Sequence, residues 1–191
     1  MNRMKNKQQI IFVALLVLVV ALLRVAGASY QWFHFVPIAG IGIFSGAVLQ
    51  QKNVSYLIPL AAMFLSDLLF EVCTRTPGFY GISQVVNYAA IMLVTFLGTT
   101  LTQRKPLTIL GATLTGSMVF FLISNFGTFL GGYYNYSWSG LVECYVQAIP
   151  FYKSEMATNF FLTSFLSDIA FTFTGFGLYA IYNKKYLTKL A

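Results

Sequence analysis

Six apolar runs divide this chain, and they point to lipid as its solvent. They cover about 10–25, 36–50, 56–72, 82–102, 107–130 and 154–182, with short polar or Pro/Gly-containing turns between them. A helix of about 20 apolar residues crosses a hydrocarbon core about 30 Å thick. Soluble domains carry about 25% charged residues; this chain carries 9%, with 58% hydrophobic residues and a mean hydropathy of +0.72. The expected fold class is all-α. The expected architecture is a polytopic membrane protein, with six transmembrane helices forming one transmembrane domain over residues 1–191. The run 36–50 is short for a span, and Pro37 falls in its first turn, where proline costs no helix hydrogen bond.

The formal charge of +7 invites a nucleic-acid reading, but the basic residues form no single patch. Arg3, Lys5, Lys7, Lys52, Arg104, Lys105, Lys184, Lys185 and Lys189 fall on one side of a six-span topology. Arg24, Arg75 and Lys153 fall on the other. That asymmetry is the positive-inside pattern and places both termini in the cytoplasm. The lipid bilayer is the expected partner, and nucleic acid is not.

The motifs GxxxxGK[ST], HExxH and GxSxG are absent, so the chain lacks the residues of ATP hydrolysis and the common hydrolase chemistries. The two cysteines have no CxxC spacing. No catalytic residues and no cofactor are expected. Asp67 and Asp168 differ in expected depth by about 10 Å or more at 1.5 Å per residue, too far for a catalytic pair.

The amino-terminal run has two readings. Ala26-Gly27-Ala28 resembles a signal-peptide cleavage site. Arg24, between the apolar core and that site, favours an uncleaved first helix instead.

The stretch Ser117–Tyr152 organises the rest. It holds an apolar helix with one amide, Asn125, near its end. A Gly131-Gly132 break, an aromatic loop and a half-polar segment closed by Pro150 follow. In about 139–150, Glu143 and Gln147 share one face, and Leu141, Tyr145 and Ala148 lie toward another, which suits a short helix at the outer surface. A charge at the bilayer centre costs about 2.5–3.5 kcal/mol on insertion scales, so polar depth is informative. Counted by helix rise, Arg24, Asp67, Glu71, Asn87 and Asn125 converge on the outer third of the membrane, and Asp168 lies deeper. Tyr30, Trp32, Tyr80, Tyr133, Tyr134, Tyr136, Trp138, Tyr145 and Tyr152 are also outer. One reading is that polar groups near an interface need no purpose. The sharper one is an outward-opening pocket, with Arg24 balancing Asp67 and the aromatic loops closing over a flat ligand. The candidate substrate-binding residues are Arg24, His34, Asp67, Glu71, Asn87, Asn125 and Glu143.

Other features stay open at this level. His34, Cys73, Cys144, Glu71 and Glu143 are outer, but without metal-ligand spacing. Cys73 and Cys144 either bridge in an oxidising compartment or act as small apolar side chains. Gly42/Gly46 and Gly127/Gly131 are GxxxG steps suited to close helix contact, within the chain or with a partner helix. The tetrapeptide FLSD occurs at Phe64–Asp67 and Phe165–Asp168, three spans apart, as an inverted repeat would place it.

Four blocks carry a family resemblance: Phe35–Val48 (FVPIAGIGIFSGAV), Pro59–Leu69 (PLAAMFLSDLL), Ser117–Gly132 and Gly140–Phe151. They resemble the NF-x-PI-x-A-x-A-x-FGGA, PL-x-x-x-x-SDL, FF-x-x-TNFG-x-W and GL-x-x-CY-x-x-A-x-PF blocks of an uncharacterised family of bacterial six-span membrane proteins. His34 stands where asparagine is usual there, and Phe129 where tryptophan is common. That family in turn resembles the S components of energy-coupling-factor (ECF) transporters in span count, topology and outer aromatics. The resemblance implies an S-component-like bundle in the bacterial cytoplasmic (inner) membrane. It also implies a vitamin- or metal-like ligand held near the outer face, and a coupling membrane protein with ATPase subunits as partners. The AxxxA step common in the first helix of S components is missing, since Ala14 and Ala21 are seven apart. On this reading the chain is the substrate-binding subunit of a small-molecule uptake transporter; the alternative is a structural or assembly protein acting through helix–helix contacts.

Overall fold

A computed structural model describes residues 10–12, 14–15, 18–22, 37–74, 77–148 and 160–188, with side chains in the last stretch described for 164–182. Among these residues, 10–12, 14–15 and 18–22 are helical, and six further helices follow. They are α1 (Ile38–Val48), α2 (Lys52–Cys73), α3 (Ile82–Thr100), α4 (Pro106–Leu130), α5 (Trp138–Ala148) and α6 (Phe160–Thr188). The described residues form no strand, so the protein is all-α. Among the described residues, four segments are long and apolar enough to cross a membrane: Lys52–Cys73, Ile82–Thr100, Pro106–Leu130 and Ser164–Tyr182.

The bundle is built around α1. Every residue from Ala39 to Val48 is buried, as expected of a helix apolar on all sides. Both main clusters of buried side chains contain α1 residues. One joins Ile41, Phe44 and Val48 to Ile58, Ile109 and Phe176; the other joins Ala39 and Ile43 to Met63, Ile91 and Val94. Phe44 and Phe176 meet edge to face at 5.2 Å. In lipid this close packing, not escape from water, holds helices together. Small residues permit it: a Cβ on Gly98 would lie 2.5 Å from the Ile43 carbonyl oxygen, and one on Gly46 would lie 2.8 Å from the Thr99 amide and run into the Thr95 carbonyl. The α1 and α3 backbones therefore touch. Gly127 packs on Val86 and Ser83 of α3 in the same way. Both glycine steps thus make contacts within the chain.

Around this centre each longer helix turns one face inward. On α2 the buried residues are Ser55, Ile58, Pro59, Ala62, Met63, Ser66 and Asp67, spaced 3, 1, 3, 1, 3 and 1 as one helix face requires. Leu57, Phe64, Leu68 and Val72 cover the outside, the face suited to acyl chains.

Two turns fix one end of the bundle. The Lys52 Nζ donates to the Thr99 carbonyl at 3.4 Å. The Arg104 guanidinium donates to the Ala47 carbonyl and lies 5.8 Å over the Tyr179 ring. Cations at helix carboxyl ends satisfy orphan carbonyls and complement the dipole. The turns at 49–51 and 101–105 therefore share a basic end. At the opposite end, Ser83 Oγ donates to the Gly127 carbonyl at 2.8 Å, bringing the 77–81 turn beside the end of α4 and α5. Being 11 residues long, α1 spans only about 16 Å. Its carboxyl end lies at the basic end, so its amino terminus lies deep inside the bundle.

Candidate functional site

An amino terminus inside a membrane bundle leaves backbone amides that water cannot serve. The residue before α1, Pro37, provides no side-chain cap. The cap comes from α6: Asp168 Oδ1 accepts from the Gly40 amide at 2.8 Å, and Oδ2 is 2.7 Å from Ser117 Oγ of α4. Asp168 is 2% exposed and Ser117 4%. One carboxyl group thus ties three helices together.

A second polar centre lies toward the other end. Asp67, 1% exposed, is about 22 Å from the start of α2 at helix rise. Its Oδ2 accepts from Gln84 Nε2 at 2.9 Å and from the Tyr88 hydroxyl at 2.8 Å, both on α3. Gln84 Nε2 also lies 3.3 Å from the Gly78 carbonyl, and the Gly78 amide donates to Glu71 Oε2 at 2.8 Å. Gly78 lies directly against the Asp67 backbone, where any Cβ would collide with the Asp67 carbonyl. The 77–81 turn is therefore clamped onto α2. Asn87 Nδ2 donates to the Tyr80 hydroxyl at 3.1 Å, while Asn87 Oδ1 is buried with no hydrogen-bond partner.

The sequence candidates thus separate into groups. Asp67 and Glu71 share one network through Gln84 and Gly78, and Asn87 adjoins it through Tyr80. Asn125 turns back on its own helix, donating to the Phe121 carbonyl at 2.8 Å. Glu143 is exposed on α5. Arg24 and His34 lie outside the described residues, and so does the expected Arg24–Asp67 balance. Gln84 and Tyr88 are site residues that the sequence does not single out. Their spacing of four places them on one face of α3, but an amide and a phenol near a membrane surface are too common to stand out.

The two FLSD copies are alike in detail. Ser66 and Ser167 are fully buried, and each donates to the carbonyl three residues back at 2.8 Å. Each following aspartate is buried and hydrogen-bonded to neighbouring helices.

Helix α5 is tied to α4 by two bonds: Cys144 Sγ to the Asn125 carbonyl at 3.2 Å, and the Tyr145 hydroxyl to the Leu122 carbonyl at 2.7 Å. Burial pushes the Cys144 thiol and the Tyr145 phenol above their ordinary pKa values, so both remain donors at neutral pH. Cys73 and Cys144 are free thiols, the first exposed and the second buried. Among the described residues, no three of His, Cys, Asp and Glu come together as a metal site. A small apolar crevice of about 10 Å³ is lined by Val20, Ala21, Ile38, Ile41, Pro59, Ala62, Met63 and Ile91.

A family model, described as a family of unknown function (DUF6580), matches residues 4–190. The chain belongs to this family. The match runs through every helix described above, so both aspartate centres lie within the DUF6580 region. No curated protein and no solved structure matches the chain.

Proposed function

We propose that this DUF6580 member is the substrate-binding subunit of a small-molecule uptake transporter in the bacterial cytoplasmic membrane. In this reading the bundle has six spans and resembles an ECF S component. Residues 10–22 and the half-length α1 supply the spans beyond the four long helices, and both termini are cytoplasmic. The observation that carries the proposal is Asn87 Oδ1, a buried acceptor with no partner beside the Tyr80 hydroxyl. Leaving such an atom unmet costs about 1–3 kcal/mol, and an N–H or O–H of a bound ligand removes that cost. The Asp67–Gln84–Tyr88 network lies next to it, and the aromatic segment 133–138 lies at the same end. Amides and phenols suit a polar organic ligand with a flat apolar part, of the vitamin class. A coupling membrane protein with ATPase subunits would supply the energy.

The assembly reading relies on the glycine steps, and Gly46 and Gly127 are occupied by α3 of the same chain. The transport reading is therefore preferred.

The test is thermal unfolding of the purified full-length protein in detergent against water-soluble vitamins and divalent metals. A true ligand at 100 times its Kd stabilises by about 2.7 kcal/mol, a rise of roughly 5–10 °C for a domain of this size. Asn87→Ala should abolish the rise. If no panel member shifts the midpoint, and no coupling protein or ATPase co-purifies, the proposal fails.

A further inference from the structure

Ser117 has a hydrogen-counting problem. Its Oγ is 2.9 Å from the Thr113 carbonyl oxygen and 2.7 Å from Asp168 Oδ2. Both are full O–H···O bond lengths, within about 2.5–3.0 Å. A hydroxyl has one hydrogen, and neither a carbonyl nor an ionised carboxylate has one to give. Ser45 shows what sharing looks like: its two carbonyl contacts are 3.2 and 3.1 Å, both beyond that range. Two full bonds at Ser117 need a second hydrogen, and Asp168 is the group that can bring it. We infer that Asp168 is a proton-binding site, an acid that keeps its proton on Oδ2 at neutral pH inside the bundle. Oδ2–H donates to Ser117 Oγ, Ser117 donates to the Thr113 carbonyl, and Oδ1 accepts from Gly40.

The charge environment agrees. The elements packed against α6 are α1, α4 and the amino-terminal run. Neither α1 nor α4 contains an ionisable residue, and the described residues of the amino-terminal run contain none. On α6, the described titratable side chains besides Asp168 are Tyr179 and Tyr182, three turns or more away. Arg104 is engaged at the basic end with the Ala47 carbonyl, about 10 Å along α1 from Gly40. The α1 amino terminus favours an anion only modestly, whereas burying an unpaired carboxylate costs more than that gain. The neutral acid wins. Asp67 is built differently, with two donors on one oxygen and no competing acceptor for the Tyr88 hydrogen.

Thr172 Oγ1, one turn along α6, is fully buried and has no hydrogen-bond partner. It lies 2.9 Å from where a Cβ of Gly40 would stand, beside the backbone amide that Asp168 holds. The acid is therefore bonded to one hydroxyl, Ser117 on α4, while the unmet Thr172 hydroxyl stands near Gly40 without a bond to the acid. Release of the proton leaves one hydrogen between two acceptors at Ser117 and a full charge at the first turn of α1. Proton occupancy thus sets how α4 and α6 hold the central helix.

The test is infrared spectroscopy of the full-length protein in lipid nanodiscs with carboxyl-labelled aspartate. At neutral pH the wild type should show the carbonyl band of a protonated aspartic acid. The band should vanish in Asp168→Asn and persist in Asp67→Asn. Ser117→Ala keeps the acid and should shift the band, which serves as the readout should Asp168→Asn not fold. No band in the folded wild type, a band surviving in Asp168→Asn, or an unshifted band in Ser117→Ala overturns the assignment. Sodium-dependent loss of the band at constant pH also overturns it, in favour of a metal-cation site. The inference stands or falls independently of the transport reading, since it needs no substrate.

Discussion

Ser45 Oγ on α1 lies 3.1 Å from the Ser55 carbonyl oxygen on α2. That carbonyl is four residues before Pro59, which has no N–H to offer it and sits inside the helix. A proline in a helix interior orphans this acceptor, and in a bundle without water a neighbouring hydroxyl must replace the donor. Ser45→Ala should therefore destabilise the protein by about 1–3 kcal/mol. Pro59→Ala restores an in-helix donor, so Ser45→Ala made in that background should cost clearly less. A double-mutant cycle on unfolding in detergent measures the coupling, expected near 1 kcal/mol. Strict additivity would show that the two residues do not act together.

Gly46 and Gly98 form the α1–α3 crossing. The atoms a new Cβ would meet at either site are backbone, which cannot rotate away. Gly46→Ala and Gly98→Ala should each destabilise by about 3 kcal/mol or more, as overpacking of a rigid site does. Gly111→Ala is the control: nothing lies within 4 Å of where its Cβ would stand, and alanine is the better helix former by about 1 kcal/mol. Melting midpoints of the three variants should separate the crossing from the general effect of removing a glycine.

The two cysteines should differ in reactivity. Cys73 is exposed, while Cys144 is buried and donates to the Asn125 carbonyl. Burial raises the Cys144 pKa, so its thiolate fraction is small at neutral pH and grows as pH rises. Maleimide should label Cys73 at least about tenfold faster, since the thiolate is the nucleophile. Denaturation without reductant should expose two thiols per chain, and one or none would mean a bridge. Cys73 lies at the end opposite Lys52 and Arg104. An impermeant maleimide applied to spheroplasts should reach it if that end faces outward.

Gln84 links Asp67 to the 77–81 turn. Gln84→Leu removes its donors to Asp67 and to the Gly78 carbonyl, leaving Tyr88 among the donors to Asp67. A hydrogen bond to a charged group is worth about 1.5–3 kcal/mol, so a loss of that size is expected. Gln84→Glu places a second carboxylate beside Asp67. It should be worse than Leu, because it replaces a donor to Asp67 by a second acceptor of the same charge type. Melting midpoints of the two variants decide between these outcomes.

The all-helical class and its apolar segments are legible in the residues alone, because a backbone in lipid must satisfy itself and helices do so locally. The basic residues at 52 and 104 also mark their shared end in advance, since cations are costly within the hydrocarbon. Which side of each helix faces its neighbours was not legible. Lipid chains are as apolar as a packed interior, so Leu68, which is exposed, and Met63, which is buried, carry the same signal in the sequence. The partners of Asp67 and Asp168 depended on that choice. The short α1 ends inside the bundle and needs a donor set answered from α6, 128 residues away along the chain. Asn125 turns back to the Phe121 carbonyl of its own helix for the opposite reason: an acceptor one turn away needs no tertiary contact. Tertiary packing alone brought Gly40, Ser117 and Asp168 together, because hydrogen bonds between helices exist only once the helices have chosen their faces.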